Sequence, residues 1–119
     1  MTKEEILAMI PDSKFDALIA EKVMDKRVVF DNPWGYIYAE QDVNKWTNVK
    51  HYSTNMLFAM EILGLYDFYT LDKGGDYLST QYGATVDVCM EDGTYSQVTA
   101  RARSLPEAIC KASLLATLV

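Results

Sequence analysis

Arg101 and Arg103 alternate with Ala100 and Ala102, so on a strand both guanidinium groups leave from the same face. They stand immediately before Ser104, which can cap the N-terminus of a helix. Two guanidinium forks beside the orphan amides of a first helical turn would form an anion pocket suited to phosphate. The same arginines could instead pair with Asp87 or another carboxylate on an adjacent strand, and both readings stand. Aromatic side chains are the second notable group. Trp34, Tyr36, Tyr38, Trp46 and Tyr52 crowd residues 34–52. Flat rings of this kind stack on a planar ligand or fill a protein interface, and they also finish an ordinary core. If the arginines hold a phosphorylated small molecule, Trp34, Trp46 and Tyr82 are the candidates to stack on its base.

Other chemistry is sparse. His51 is the one histidine, which removes a histidine-based triad and a multi-histidine metal site. Neither Cys89 nor Cys110 has a nucleophile-like setting, and both are expected to be buried thiols. Asp72 and Asp76 flank Lys73-Gly74-Gly75, and Glu91-Asp92 sits at a hairpin tip. Turn oxygens can hold calcium or magnesium, but nothing here approaches the twelve-residue calcium-loop pattern. The segment around Gly74 also lacks the glycine spacing and Lys-Ser/Thr ending of a phosphate loop. No catalytic residue, metal site or cofactor is assigned, and the chain is expected not to be an enzyme.

Composition bounds the remaining choices. Half of the 119 residues are apolar, enough for one core, so one domain is expected over 1–119. A net charge of −6 argues against extended contact with nucleic acid. The carboxylates are scattered rather than gathered in runs, which argues against imitation of a nucleic acid. No run approaches the roughly 18 apolar residues of a membrane helix. The opening Met-Thr-Lys-Glu-Glu has no signal-peptide core. A cytoplasmic protein without membrane contact is expected.

The elements that would position these residues follow from caps and periodicity. Thr2 and Glu5 form a capping box for a helix over 3–10, which Pro11 stops. Asp12 or Ser13 caps a second helix to Met24, with Phe15, Leu18, Ile19 and Val23 as its apolar stripe. Arg27–Phe30 and Gly35–Ala39 read as a hairpin around Asp-Asn-Pro-Trp, and 40–52 as an aperiodic loop. Ser53 or Thr54 is expected to cap a third helix whose apolar face is Met56, Leu57, Met60, Ile62 and Leu63. Gly64 should end it in the left-handed conformation.

From Tyr66 to Ala102 the period is two. Strands are expected over 66–71, 76–82 and 84–91, with breaks at Gly74-Gly75 and Gly83. A three-residue loop with Gly93 in a bulge sets Val86 opposite Val98, Ala84 opposite Ala100 and Asp87 opposite Gln97. That register sorts polar from apolar on each face, whereas a two-residue turn mixes them. Ser104 and Glu107 suggest a second capping box. The helix that follows shows Leu105, Ala108, Ile109, Ala112 and Leu115 on one face, widened by Leu114 and Leu118. Such a helix is deeply docked or lies in a dimer interface. We expect an α+β fold with an antiparallel sheet, flanked by N-terminal, central and C-terminal helices, and at least a homodimer.

Three segments resemble the phage ABA-sandwich domain family. They are Met1–Met9 with Phe15–Met24, then His51-Tyr52-Ser53-Thr54-Asn55, then Ser104-Leu105-Pro106-Glu107-Ala108-Ile109-Cys110-Lys111-Ala112. Their order agrees with the family across nearly the whole chain. Residues 27–50 look like an insertion relative to that pattern, and Lys111 stands where arginine is usual. The resemblance implies a layered α/β/α sandwich and a phage or prophage origin, and it supplies no reaction. Two functions fit. One is a host-defence antagonist that sequesters a nucleotide-type immune signal in an arginine/aromatic pocket. The other is a protein-interaction module, either an inhibitor of a host protein or a scaffold.

Overall fold

The computed structural model describes residues 1–39, 45–75 and 81–119. Its first two helices are α1 (Lys3–Ala8) and α2 (Ser13–Lys22). Both halves of the Thr2–Glu5 capping box are present: Glu5 N–H donates to Thr2 Oγ1 at 3.2 Å and Thr2 N–H to Glu5 Oε1 at 3.3 Å. Asp12 caps α2, accepting Phe15 N–H at 2.9 Å. Phe15 and Ile19 are fully buried, and Leu18 and Val23 pack partly buried against the same core.

Three strands follow, β1 (Val28–Asp31), β2 (Gly35–Ala39) and β3 (Trp46–Asn48), in an antiparallel sheet of order β1-β2-β3. The β1–β2 hairpin turns through a cis Asn32–Pro33 bond and Gly35 at φ +82°. β3 corrects the expected loop over 40–52. It is three residues long and has no periodicity of its own, but β2 offers it a free edge to pair with. Residues 40–44 lie outside the described set.

Helix α3 (Met56–Leu63) comes next. Its cap is Asn55, which accepts Leu57 N–H at 2.9 Å, rather than Ser53 or Thr54. Its buried residues are Ala59, Ile62 and Leu63, while Leu57 and Met60 are exposed, so the apolar face is narrower than expected. The small Ala59 and the i+3, i+4 spacing form one stripe against the rest of the core. Gly64 is right-handed at φ −63°, not left-handed. Short turns account for this: Leu65 and Tyr66 N–H donate to the carbonyls of Ile62 and Leu63, satisfying the helix end without a left-handed residue.

The second sheet has order β4-β5-β6, with β4 (Tyr69–Gly74), β5 (Gln81–Cys89) and β6 (Tyr95–Ala102), all antiparallel. Most of the expected strand over 76–82 lies outside the described residues. The β5–β6 register pairs Val86 with Val98, Ala84 with Ala100 and Asp87 with Gln97, as the face-sorting argument requires. Met90 N–H donates to Thr94 O at 2.7 Å across Glu91-Asp92-Gly93, and Gly93 has φ +86°. Gly83 does not break the strand. It lies buried within β5, where a Cβ would come within 2.6 Å of Asp72 Oδ2. The glycine lets a neighbouring carboxylate cross the strand.

Helix α4 (Leu105–Ala116) is the centre of the molecule. Every residue from Glu107 to Leu115 is buried. It packs on β5 and β6 on one side and on α1, α2 and α3 on the other. A helix covered all round needs no further partner for its leucines. Leu114 and Leu115 are therefore core residues of this chain, while Leu118 and Val119, beyond the end of α4, are exposed. Glu107 reaches Lys111 Nζ at 2.8 Å instead of completing a second capping box, while Ser104 Oγ still accepts Glu107 N–H at 3.3 Å. Lys111 Nζ also donates to Leu7 O at 3.0 Å and so satisfies the end of α1.

The fold is α+β, and the described residues form two antiparallel sheets and four helices around one continuous apolar cluster. Cys110 is buried within that cluster. Cys89, expected to be buried, is exposed because it ends β5 on the face turned away from α4.

Candidate functional site

The two sheets present their outer faces differently. On the β4-β5-β6 sheet, Ala84, Val86, Ala100 and Ala102 are buried against α4. The opposite face carries Thr70, Asp72, Thr85, Asp87, Tyr95, Gln97, Thr99 and Arg101 by alternation, with Phe68 edge-to-face on Tyr95 at 5.4 Å. Thr85 Oγ1 and Thr99 Oγ1 share a hydrogen bond of 2.7 Å. Apart from the exposed Phe68–Tyr95 pair at one end, this is the polar, self-paired surface of a sheet that faces water on one side.

The β1-β2-β3 sheet breaks that pattern. Val28, Phe30, Tyr36 and Tyr38 share the inner face toward α2, with Phe30 and Tyr36 directly opposite and edge-to-face at 5.1 Å. The outer face carries Val29, Asp31, Ile37, Trp46 and Asn48 around a concavity of about 600 Å³, whose rim includes Phe30 and Trp34. Phe30 is 67% exposed, Trp34 69% and Trp46 50%. The hairpin turn is responsible, because Gly35 at positive φ closes a tight loop that leaves Trp34 at its tip.

Phe30 also lines two cavities on the inner side. One, of about 610 Å³, runs between α1, α2 and the hairpin and includes Asp12, Lys14 and Glu21. The other, of about 260 Å³, is lined by Ser13, Asp16, Phe30, Trp34, Gly35, Tyr36, Asn48, Val49 and His51. Asp16 is a buried carboxylate on α2. Its Oδ1 accepts Ser53 N–H at 2.8 Å, and its Oδ2 lies 3.7 Å from His51 Nδ1. His51 itself is mostly in solvent, as expected of a residue ahead of a helix. Ser53 Oγ is buried and has no hydrogen-bond partner among the described residues. Asp16 was not among the expected site residues. The signal was present, since it lies three and four residues before Ile19 and Ala20 and so falls within the apolar stripe of α2.

The five expected site residues do not share one place. Trp34 and Trp46 meet at the outer concavity. Tyr82 is half-buried in β5 opposite Ala102, on the side of the sheet that α4 covers. Arg101 Nη1 is 3.0 Å from Asp72 Oδ1, so its charge is matched by a carboxylate two strands away. Because Ala100 and Ala102 face α4, Arg101 points to the opposite side of the sheet from that helix. Arg103 is exposed and lies beyond the end of β6, next to the Ser104 cap.

Two buried acids of other kinds shape the core behind these sites. Burial, aided by Tyr38, Glu61, Cys110 and Asp16, pushes the Tyr52 hydroxyl up to about 12. Burial chiefly, with Asp16 and Glu107 adding, raises the Cys110 thiol, which makes it unreactive. No group of three or more His, Cys, Asp or Glu among the described residues is placed to hold a metal ion. No helix among them is long and apolar enough to cross a membrane.

The model of the phage ABA sandwich domain matches residues 17–114, from the middle of α2 to the last turn of α4. The chain belongs to the phage ABA sandwich domain family. Both sheets and most of the central α4 thus lie within the ABA sandwich domain, including the hairpin that carries Phe30 and Trp34 and the strand that carries Trp46. No curated protein matches the chain. No solved structure matches it.

Proposed function

We propose that this phage protein acts by binding rather than catalysis, as a protein-interaction module whose contact surface is the aromatic hairpin of the β1-β2-β3 sheet. One observation carries the reading. The outer side of that sheet gathers Val29, Ile37, Trp34 and Trp46 around a concavity, whereas the corresponding face of the other sheet is mostly polar and internally paired, its exposed aromatics Phe68 and Tyr95 packed on each other. Large exposed aromatics around a concavity are what a protein partner uses as anchors. A host protein inhibited by the phage is the partner class that fits a phage accessory domain.

A second reading keeps the nucleotide-type immune signal as ligand, with Arg103 beside the N-terminus of α4 as its anion contact. Arg101 supports it less, being already paired with Asp72. A homodimer through the aromatic hairpin is a third use of the same surface. Host lysate passed over the native protein, over Trp34→Ser/Trp46→Ser and over Arg101→Ala/Arg103→Ala separates these readings. Loss of one defined partner with the tryptophan variant alone supports the interaction module. A phosphorylated small molecule retained in the native mass spectrum, and lost with the arginine variant alone, replaces it with the sequestering reading. The same spectrum gives the oligomer mass.

A further inference from the structure

We propose that the cavity between α2 and the β1–β2 hairpin receives the guanidinium group of an arginine carried by a basic segment of the partner. The inference rests on the interaction reading and names the chemistry of that partner. Its centre is Asp16, whose side chain is only 4% exposed. A carboxylate taken out of water is costly unless a charge or hydrogen bonds compensate it. Oδ1 has the Ser53 amide at 2.8 Å. The His51 imidazole stands 3.7 Å from Oδ2, beyond hydrogen-bonding distance, and that ring is 73% exposed. Among the described residues the cavity lining holds no lysine or arginine. The site therefore has a buried negative charge and acceptor capacity to spare.

Its walls choose the kind of cation. Phe30, Trp34 and Tyr36 line the same cavity as Asp16 with three aromatic rings. A guanidinium plane stacks on such rings and offers paired donors to a carboxylate, which an ammonium does less well. At about 260 Å³ the cavity is below the roughly 300–1,000 Å³ of sites that enclose a whole small ligand. It is several times the approximately 30 Å³ that one water takes in the liquid, so it suits a side chain. The flanking cavities also carry carboxylates, Asp12 and Glu21 beside Lys14 on one side and Asp31 on the other. A partner segment crossing Phe30 would meet a carboxylate in each, and a phosphate would be repelled.

The test uses the ¹⁵N-labelled full chain titrated with the capped peptide acetyl-Gly-Arg-Gly-amide and with its citrulline counterpart, which keeps the shape and removes the charge. Saturable shifts are expected at Asp16, Gly35, Tyr36, His51 and the Trp34 indole. Binding should weaken by at least about 10-fold on replacement by citrulline and in Asp16→Asn, as loss of a charge-assisted bond implies. Asparagine keeps an oxygen for the Ser53 amide, and the amide spectrum itself reports whether the variant is folded. If it is not, Trp34→Ala at the exposed turn should weaken the arginine peptide several-fold. Equal response to citrulline, absence of saturable shifts at these residues, or a folded Asp16→Asn that binds undiminished overturns the proposal. If that happens while partner capture still depends on Trp34 and Trp46, only the cationic occupant is lost. An Asp16-dependent arginine response with no tryptophan-dependent partner keeps the cation site and removes the interaction reading.

Discussion

Arg101 and Asp72 are joined at 3.0 Å from the two edge strands of one sheet, passing over Gly83 on the strand between them. A Cβ at Gly83 would sit 2.6 Å from Asp72 Oδ2, so Gly83→Ala must push the carboxylate aside. Both partners are about half exposed, and such a pair is worth roughly 0–1 kcal/mol. Gly83→Ala should therefore cost about 1 kcal/mol in urea denaturation, and much less in an Asp72→Ala background. Additive costs in that double-mutant cycle would disprove the crossing.

Lys111 makes a buried ion pair with Glu107 and satisfies the carbonyl of Leu7 at the end of α1. Lys111→Met leaves a buried carboxylate alone and should destabilise by about 3–5 kcal/mol at neutral pH. The double variant Glu107→Gln/Lys111→Met should recover a large part of that loss. Equilibrium denaturation of the three proteins checks both statements.

Tyr52 and Cys110 make the fold sensitive to alkali. Each group is held neutral in the folded chain, the hydroxyl up to about 12 against an ordinary 10.0. Unfolding lets them ionise, so the unfolded chain binds fewer protons once pH passes their ordinary values. Their contribution is complete below pH 9.0, the ordinary thiol value, and falls as pH rises toward about 12. Thermal melts across this range should fall, and Tyr52→Phe with Cys110→Ala should flatten the upper part of the curve.

Gly93 at φ +86° has no atom within 4 Å of where a Cβ would stand. Gly93→Val is thus penalised through the backbone alone, by roughly 1 kcal/mol or more. A melt unchanged from the native protein would contradict this.

Ser53 is held by its amide, while its buried hydroxyl has no partner among the described residues. Ser53→Ala removes an uncompensated polar group and should change stability by less than about 0.5 kcal/mol, or raise it. A loss above 1 kcal/mol on denaturation would mean the hydroxyl is bonded.

Local rules made much of this fold legible in the sequence. Thr2, Asp12 and Ser104 cap helices because their short side chains reach an amide three residues on. The β5–β6 register followed from sorting Ala84 and Val86 from Asp87, together with a glycine at the turn. What was not legible depends on distant neighbours. Asn55 rather than Ser53 caps α3, and Ser53 is instead held in the core, its amide donating to Asp16, 37 residues earlier. Trp46–Asn48 becomes a strand only because β2 is beside it. The candidate site divides the same way. The aromatics of 34–52 were visible as a cluster and two meet at one concavity, whereas Arg101 found its carboxylate across a whole sheet. Leucines in α4 invited a dimer, yet Leu114 and Leu115 are spent inside the chain.

The burial of α4 on all sides has a consequence for how the chain is made. Residues 1–104 contain both sheets and three of the four helices, but the surface on which they all pack is supplied by 105–116. A nascent chain still threaded through the ribosome at that point has strands and helices with nothing between them. The tertiary structure is therefore expected to form only once translation has delivered the central helix.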